Sequence, residues 1–223
     1  MAALGALADH RRMRPLRHGY TNRTAGDGAT VIKRYEGPDA ASRLERERLV
    51  LTELRGEVPV PPVLGARDGA LELGFVDGAP GQELLESGSA VEVLRSCGEV
   101  LRRIHSVRPG LVHGDFGPNN LLLDPGTFAV AAVVDWEFSH TGDPIEDLAW
   151  CEWVVRTHHA DRVGALDDFF AAYGGPVPAW PVRRAAMLER CAELREFCHR
   201  WEPGGAGVRL WEERAEATAA WRA

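Results

Sequence analysis

The chain has 223 residues, 45% of them hydrophobic and 26% charged, the composition of an ordinary globular protein with enough length for a substantial core. A formal net charge of -7 argues against a nucleic-acid partner, and no apolar run approaches the roughly 20 residues of a membrane-spanning helix. The first 16 residues are interrupted by Asp9, Arg11, Arg12, Arg14 and Pro15 where a secretory leader needs an apolar stretch, so the cytoplasm is the expected compartment.

The four cysteines, Cys97, Cys151, Cys191 and Cys198, fall at apolar positions without metal-ligand spacing and are expected to be buried free thiols. The basic residues are lopsided: of the 26 Lys and Arg, Lys33 is the single lysine. Arg and Lys differ in shape and hydration, so a position that keeps the compact ammonium in an otherwise Arg-only chain marks a chemical requirement.

In chain order, residues 1–18 are Arg-rich and carry no assigned role. Gly19-Tyr20-Thr21-Asn22 is a polar stretch with a single glycine, whose spacing also fits an ordinary surface turn. Gly26-Asp27-Gly28 reads as a hairpin turn, and residues 29–35, rich in β-branched side chains, read as a strand containing Lys33. Residues 38–54 have helical periodicity, with Leu44, Leu51 and Leu54 on one face and Glu47 among them; a carboxylate on a buried stripe requires a partner, and Lys33 is the candidate. Residues 58–64, with three prolines, read as an extended linker, followed by a turn at 65–69 and a strand at 70–76. The dense Gly and Pro of residues 77–81 mark a boundary between two periodic regions.

Residues 89–107 form an amphipathic helix by pattern, with Leu94, Cys97, Leu101 and Ile104 on one face. His113-Gly114-Asp115-Phe116-Gly117-Pro118-Asn119-Asn120 then breaks regular structure. Residues 121–123 and 128–134 read as two short strands joined by a turn at Asp124-Pro125-Gly126, a hairpin that brings Asn120 and Asp135 together at one edge with Asp115 nearby. One carboxylate to orient a nucleophilic hydroxyl and two oxygen ligands for magnesium are what phosphoryl transfer requires. Asp143 and Pro144 open a further helix as N-cap and first residue, and His158-His159 are expected at the surface. The remainder reads as helices through Leu166–Tyr173, through Met187–Trp201, and after Gly205. Tryptophans 180, 201, 211 and 221 suit either the core or a pocket.

His-Gly-Asp at 113–115 followed by four residues and Asn120, an apolar strand into Asp135-Trp136-Glu137, and Gly142-Asp143-Pro144-Ile145-Glu146-Asp147-Leu148-Ala149 together resemble the aminoglycoside phosphotransferase and choline kinase-like branch of the protein-kinase fold. The resemblance runs from about Gly19 to Ala149. It implies an α+β, bilobal protein-kinase-like fold: a small antiparallel sheet with one helix as the nucleotide-binding lobe (residues 1–76), a hinge at 77–81, and a mainly helical lobe (82–223) holding the catalytic loop, 112–120, and the acceptor site. Asp115 would match the catalytic aspartate and Asn120 and Asp135 the magnesium ligands. Lys33, braced by Glu47, would match the phosphate-binding lysine. The Gly19, Thr21 and Asn22 loop would cover the phosphates, and the hinge around Phe75 and Asp77 would meet the base of ATP or GTP. Asp143 and Asp147, like His105 and His113, are expected to be structural. The N-terminal sheet is shorter than the family pattern.

The implied activity is transfer of the terminal phosphate of ATP or GTP to a hydroxyl of a small acceptor. From Cys97 to His159 nine acids face four arginines, a surplus that favours a cationic acceptor such as an aminoglycoside-type antibiotic and is equally explained by metal binding. An amino alcohol or a peptide Ser or Thr also fits. Two rival readings remain: a non-catalytic nucleotide-binding module, and a metal hydrolase built on His113, Asp115, Asp135 and His140.

Overall fold

The structure, a computed structural model, describes residues 13–15 and 22–222; the expected Gly19 and Thr21 contacts lie outside the described residues. The N-terminal part is a five-stranded antiparallel sheet with one helix. The strands are β1 (Arg14–Pro15), β2 (Arg23–Gly26), β3 (Thr30–Arg34), β4 (Val63–Arg67) and β5 (Ala70–Gly74), in the spatial order β1-β2-β3-β5-β4, with helix α1 (Ala40–Leu54) between β3 and β4. The β2–β3 turn is closed by Asp27, whose carboxylate accepts the backbone N–H groups of Ala29 and Thr30, an Asx turn in the place expected.

Strand β4 departs from expectation. Residues 65–67, read as a turn, pair in register with β5 through Arg67 opposite Ala70. The turn is two residues, Asp68 and Gly69, with φ of 51° and 72°. An Asp-Gly pair with both residues left-handed is the tight hairpin connection, and its signal was hidden by the three prolines that precede it. Helix α1 starts at Ala40 rather than at residue 38, because Asp39 is left-handed with φ 55°. Its buried residues are Arg43, Glu47, Val50, Leu51 and Leu54, so the polar Glu47 does lie on the buried stripe.

After β5 the chain runs through residues 75–78 into β6 (Ala79–Pro80) and α2 (Gly81–Glu86), a short helix the sequence pattern did not indicate. β6 joins β8 (Leu121–Leu123) and β9 (Val130–Val133) in a second sheet of order β6-β8-β9. Here the expected hairpin forms, with Asp124 holding the turn through Gly126 N, Thr127 N and Thr127 Oγ1. β9 begins later than residue 128 because Phe128 is left-handed, φ 58°. A two-stranded pair, β7 (Leu111–Val112) with β10 (His140–Thr141), brackets this hairpin.

The rest is helical: α3 (Ala90–Val107), α4 (Ile145–His158), α5 (Leu166–Tyr173), α6 (Trp180–Trp201) and α7 (Ala206–Ala220). Asp143 accepts the N–H of Ile145 while Glu146 accepts the N–H of Asp143, the reciprocal arrangement of a capping box at the start of α4. His159, expected at the surface, is 6% exposed, and Trp201, expected at core spacing, is 44% exposed. Three cysteines are buried, Cys198 is partly so, and all four are free thiols. Among the described residues no helix is long and apolar enough to cross a membrane.

The main core joins both parts through Leu51, Leu71, Leu94, Leu101, Phe116 and Trp136. Within it α3 and α5 cross almost backbone to backbone at Gly98. A Cβ there would stand 2.3 Å from Phe169 O and 2.8 Å from Tyr173 N, so the two helices would have to part. Gly98→Ala is therefore expected to lower stability by about 3 kcal/mol through overpacking, read as a drop in the urea midpoint at unchanged m value.

Candidate active site

The centre of the site is Lys33. It extends from the middle of β3 with 7% of its surface exposed, and its Nζ lies 2.6 Å from Glu47 Oε2 and 2.5 Å from Asp135 Oδ1. Residues 14 and 102 positions away in sequence thus converge on one ammonium. Burial opposes the charge on Lys33, but the carboxylates of Asp135, Glu47 and Glu137 more than offset it and hold its pKa above the ordinary lysine value. Burial alone would raise Asp135; the Lys33 ammonium prevails and holds it below the usual carboxylate range. Tyr35, which also hydrogen-bonds Glu47, was not foreseen.

Asp135, two residues beyond β9, has a left-handed conformation, φ 68° and ψ 55°. Aspartate is among the few residues that tolerate this region, and such strain persists where the surroundings over-determine it. Beyond it Trp136–Phe138 form a single 3-10 turn that buries Glu137. Glu137 receives Asn22 Nδ2 at 2.8 Å and the guanidinium of Arg43, and Arg46 Nη1 reaches its carbonyl at 2.9 Å. Asn22 is 8% exposed and is thereby fixed between α1 and the 3-10 turn. Arg43 escaped notice in the sequence. Its signal was its position four residues before Glu47, which puts an arginine on the same buried stripe.

The loop carrying Asp115 is held from below. Asp147 of α4 accepts His113 N at 2.7 Å and Gly114 N at 2.9 Å, and touches His105 Nε2 at 3.2 Å. Gly114 has φ 80°, and a Cβ there would lie 2.4 Å from Phe138 O, so the chain can pass only as glycine. His113 accepts the N–H of Asp115 at Nδ1 and so donates from Nε2 to Val134 O, 3.0 Å away. It is fully buried and neutral, its pKa pushed down by burial. Asp143, Asp147, His105 and His113 thus stand in structural positions. His140 is bound to Glu146 and Phe138 O, and with both His113 nitrogens taken by the backbone the hydrolase constellation does not assemble.

Asn120 donates its amide N–H groups to Asp115 O at 2.7 Å and Asp115 Oδ2 at 2.9 Å, while Val134 N–H donates to Asn120 O. Trp150 Nε1 donates to the other carboxylate oxygen, Asp115 Oδ1, at 2.8 Å. Burial pushes the Asp115 pKa up to about 6, Asp135 adds to the rise, and Arg190, Trp150 and Asn120 restrain it. Trp150 also escaped the sequence reading, since a tryptophan on an apolar helix face carries no sign that its N–H has left the core.

These groups lie in a cleft of about 340 Å³ between the five-stranded sheet and the β8–β9 hairpin, with Asn22, Lys33, Glu47, Asp115, Asn120 and Asp135 on its walls. Val31, Leu73, Phe75 and Leu122 give it an apolar end. Asp77 is exposed and its side chain is not part of the wall. A second cleft, of about 650 Å³, opens on the other side of Asp115 and shares Gln82, Asp115 and Asn119 with the first. Among the described residues no three His, Cys, Asp or Glu side chains form a ready-made metal cage. An amide oxygen and a carboxylate could instead serve a hard cation whose remaining ligands come from elsewhere. With its N–H groups spent on Asp115, Asn120 offers its amide oxygen, and Asp135 offers a carboxylate.

The model of the APH phosphotransferase enzyme family matches residues 12–110 and 106–186. Among curated proteins, the chain is 51% identical over 43 residues to acyl-CoA dehydrogenase family member 10 of Mus musculus, covering 19% of this chain and 4% of that protein. It is 32% identical over 99 residues to a probable bifunctional tRNA threonylcarbamoyladenosine biosynthesis protein of Methanosarcina acetivorans, covering 42% of this chain and 17% of that protein. The chain thus spans only a small part of the curated relatives it matches. Among solved structures it resembles a thermostable mutant of aminoglycoside phosphotransferase APH(4)-Ia in complex with ADP and hygromycin B, with TM-score 0.66 and 17% identity, covering 95% of each chain. It also resembles macrolide 2'-phosphotransferase MphH from Brachybacterium faecium, with TM-score 0.62 and 19% identity, covering 96% of this chain and 94% of that one. These likenesses establish a kinase-like fold with an antiparallel-sheet N-terminal region and a mainly helical remainder. With the family model covering well over half of its length, the chain belongs to the phosphotransferase enzyme (APH) family.

Proposed function

We propose that this protein transfers the terminal phosphoryl group of ATP or GTP to a hydroxyl of a small-molecule acceptor. The observation that carries the reading is the convergence of Lys33 with Glu47 and Asp135 in the same cleft as Asp115 and Asn120. Lys33, kept charged and steadied by Glu47, binds nucleotide phosphates; Asn22, buried at the cleft wall, helps to cover them; residues 74–78 and the apolar end beside Phe75 take the base. Asn120 and Asp135 would hold magnesium, which when bound supplies neutralisation of phosphate charge.

Asp115 Oδ2 and Oδ1 are fixed by Asn120 and Trp150, so the carboxylate is oriented before an acceptor arrives. The acceptor oxygen forms its bond to the terminal phosphorus as the bond from that phosphorus to the nucleotide diphosphate oxygen breaks, and the hydroxyl proton passes to Asp115. A carboxylate raised to about 6 remains ionised at neutral pH yet accepts a proton more readily than an ordinary aspartate. The solved relatives named above are in part antibiotic phosphotransferases, and an antibiotic hydroxyl is one acceptor this reading admits.

Asp115→Asn is expected to lower kcat about 10³-fold with the nucleotide Kd changed less than threefold, measured by single-turnover assay and calorimetry; a near-normal rate would end the assignment. Lys33→Ala leaves Glu47 and Asp135 without their cation and is expected to cost about 3 kcal/mol of stability as well as nucleotide affinity, read from urea unfolding and nucleotide titration. kcat/KM is expected to fall as pH drops through about 6, because protonated Asp115 can no longer accept the hydroxyl proton. Trp150→Phe removes a donor that favours the ionised carboxylate, so the acid limb should move to higher pH; a profile that does not move would show Trp150 to be core packing alone.

A further inference from the structure

The second cleft meets the first at Asp115, Asn119 and Gln82 and then runs into the helical region. Beyond those shared polar groups its walls are largely aromatic and aliphatic, with Glu86, His158, His159, Glu202 and Arg214 between them. Phe138 and Leu194 are partly buried, and Trp201 and Leu210, each 44% exposed, belong to α6 and α7 on either side of the Gly204–Gly205 connection. These two are among the ten large apolar side chains left exposed among the described residues, and both line the same cleft. Large apolar groups gathered in a concave site that ends on a reactive polar group are the signature of a ligand with an apolar body.

Charge in the cleft points the same way. Arg214 lies over the rings of Trp211 and Trp153, 4.5 and 5.5 Å from their centroids, and Arg190 lies over Phe138 and Trp150 at 4.9 and 5.9 Å. Arg43 and Arg200 likewise lie over Phe197, so of the Phe and Trp rings lining the cleft Trp201 alone carries no guanidinium among the described residues, and little ring face is left to attract several ammonium groups. Trp150 and Trp153 are stacked on each other at 4.3 Å, which uses another pair of faces. His158 and His159 are both pushed toward the neutral form by burial. The carboxylates other than Asp115 are Glu86 and Glu202, both exposed, too few and too solvated to balance a polycation. At the inner end Asn119 Oδ1 is buried and has no hydrogen-bond partner among the described residues, an acceptor ready for an O–H or N–H beside Asp115.

We infer that the acceptor is an amphipathic alcohol, uncharged or carrying at most one positive charge, whose hydroxyl end reaches Asp115 and Asn119 while its apolar body lies against Trp201 and Leu210. This rests on the phosphotransferase reading and narrows it, away from the polycationic aminosugars that the acidic surplus of the sequence favoured.

The test uses the full chain with magnesium and ATP and three probes: octyl β-glucoside below its micelle concentration, methyl β-glucoside with the same hydroxyls and no tail, and an aminosugar trisaccharide carrying at least three ammonium groups. Calorimetry is expected to give octyl β-glucoside binding tighter than methyl β-glucoside by tenfold or more, since each buried methylene contributes about fourfold. Leu210→Asp, at an exposed position that does not threaten folding, should erase that gain while the ATP Kd stays the same. Equal binding of the two glucosides, or tighter binding of the aminosugar, overturns the inference while leaving the kinase reading intact. Failure to bind ATP at all would instead strike the kinase reading.

Discussion

A single buried ammonium governs this molecule. Lys33 sits where an unpartnered charge would be prohibitively costly, and it is tolerated because two carboxylates from different parts of the chain reach it. One is on α1, the other just beyond β9. The three elements are therefore obliged to meet, and the cleft between sheet and hairpin is the space they enclose. Such a pair contributes little net stability compared with apolar packing; what it contributes is a fixed separation between a cation and the carboxylate that a metal would share.

Around that centre the backbone is cross-braced. Val134 donates its N–H to the Asn120 carbonyl and accepts at its own carbonyl from His113 Nε2, so the residues flanking Asp135, Asn120 and Asp115 are tied to one another by one main-chain bond and one fully buried imidazole. Asp147 anchors the same loop from α4 through two N–H groups. The consequence is a preorganised set of oxygens, the condition under which electrostatic catalysis works without reorganisation at the moment of reaction.

Much of this was readable from the sequence where a local pattern and a chemical demand coincided. The lone lysine in a strand, an acid on a helix's apolar stripe, and a hairpin framed by Asn120 and Asp135 each had a physical reason to be where they are. What the pattern hid was of a different kind. Strand β4 was masked by prolines although its Asp-Gly turn was explicit. The short helix α2 offered too few residues for a period to show. Arg43, Trp150 and Glu137 act through contacts that reach across 35, 94 and 115 positions, and an arginine or tryptophan on an apolar face looks the same in sequence whether it closes a network or fills space. The second cleft was the least legible part, because its character lies in which ring faces are already covered by arginines, a matter of tertiary placement alone.

The arrangement of Arg43, Glu137 and Asn22 bears on the placement of α1. Helix α1 carries both the brace for Lys33 and, one turn earlier, the guanidinium that neutralises Glu137. Moving that helix outward would strand two interior charges at once and take Arg43 away from Asn22. The position of α1 is thus set by interior charge pairing as well as by the apolar contacts of Val50, Leu51 and Leu54.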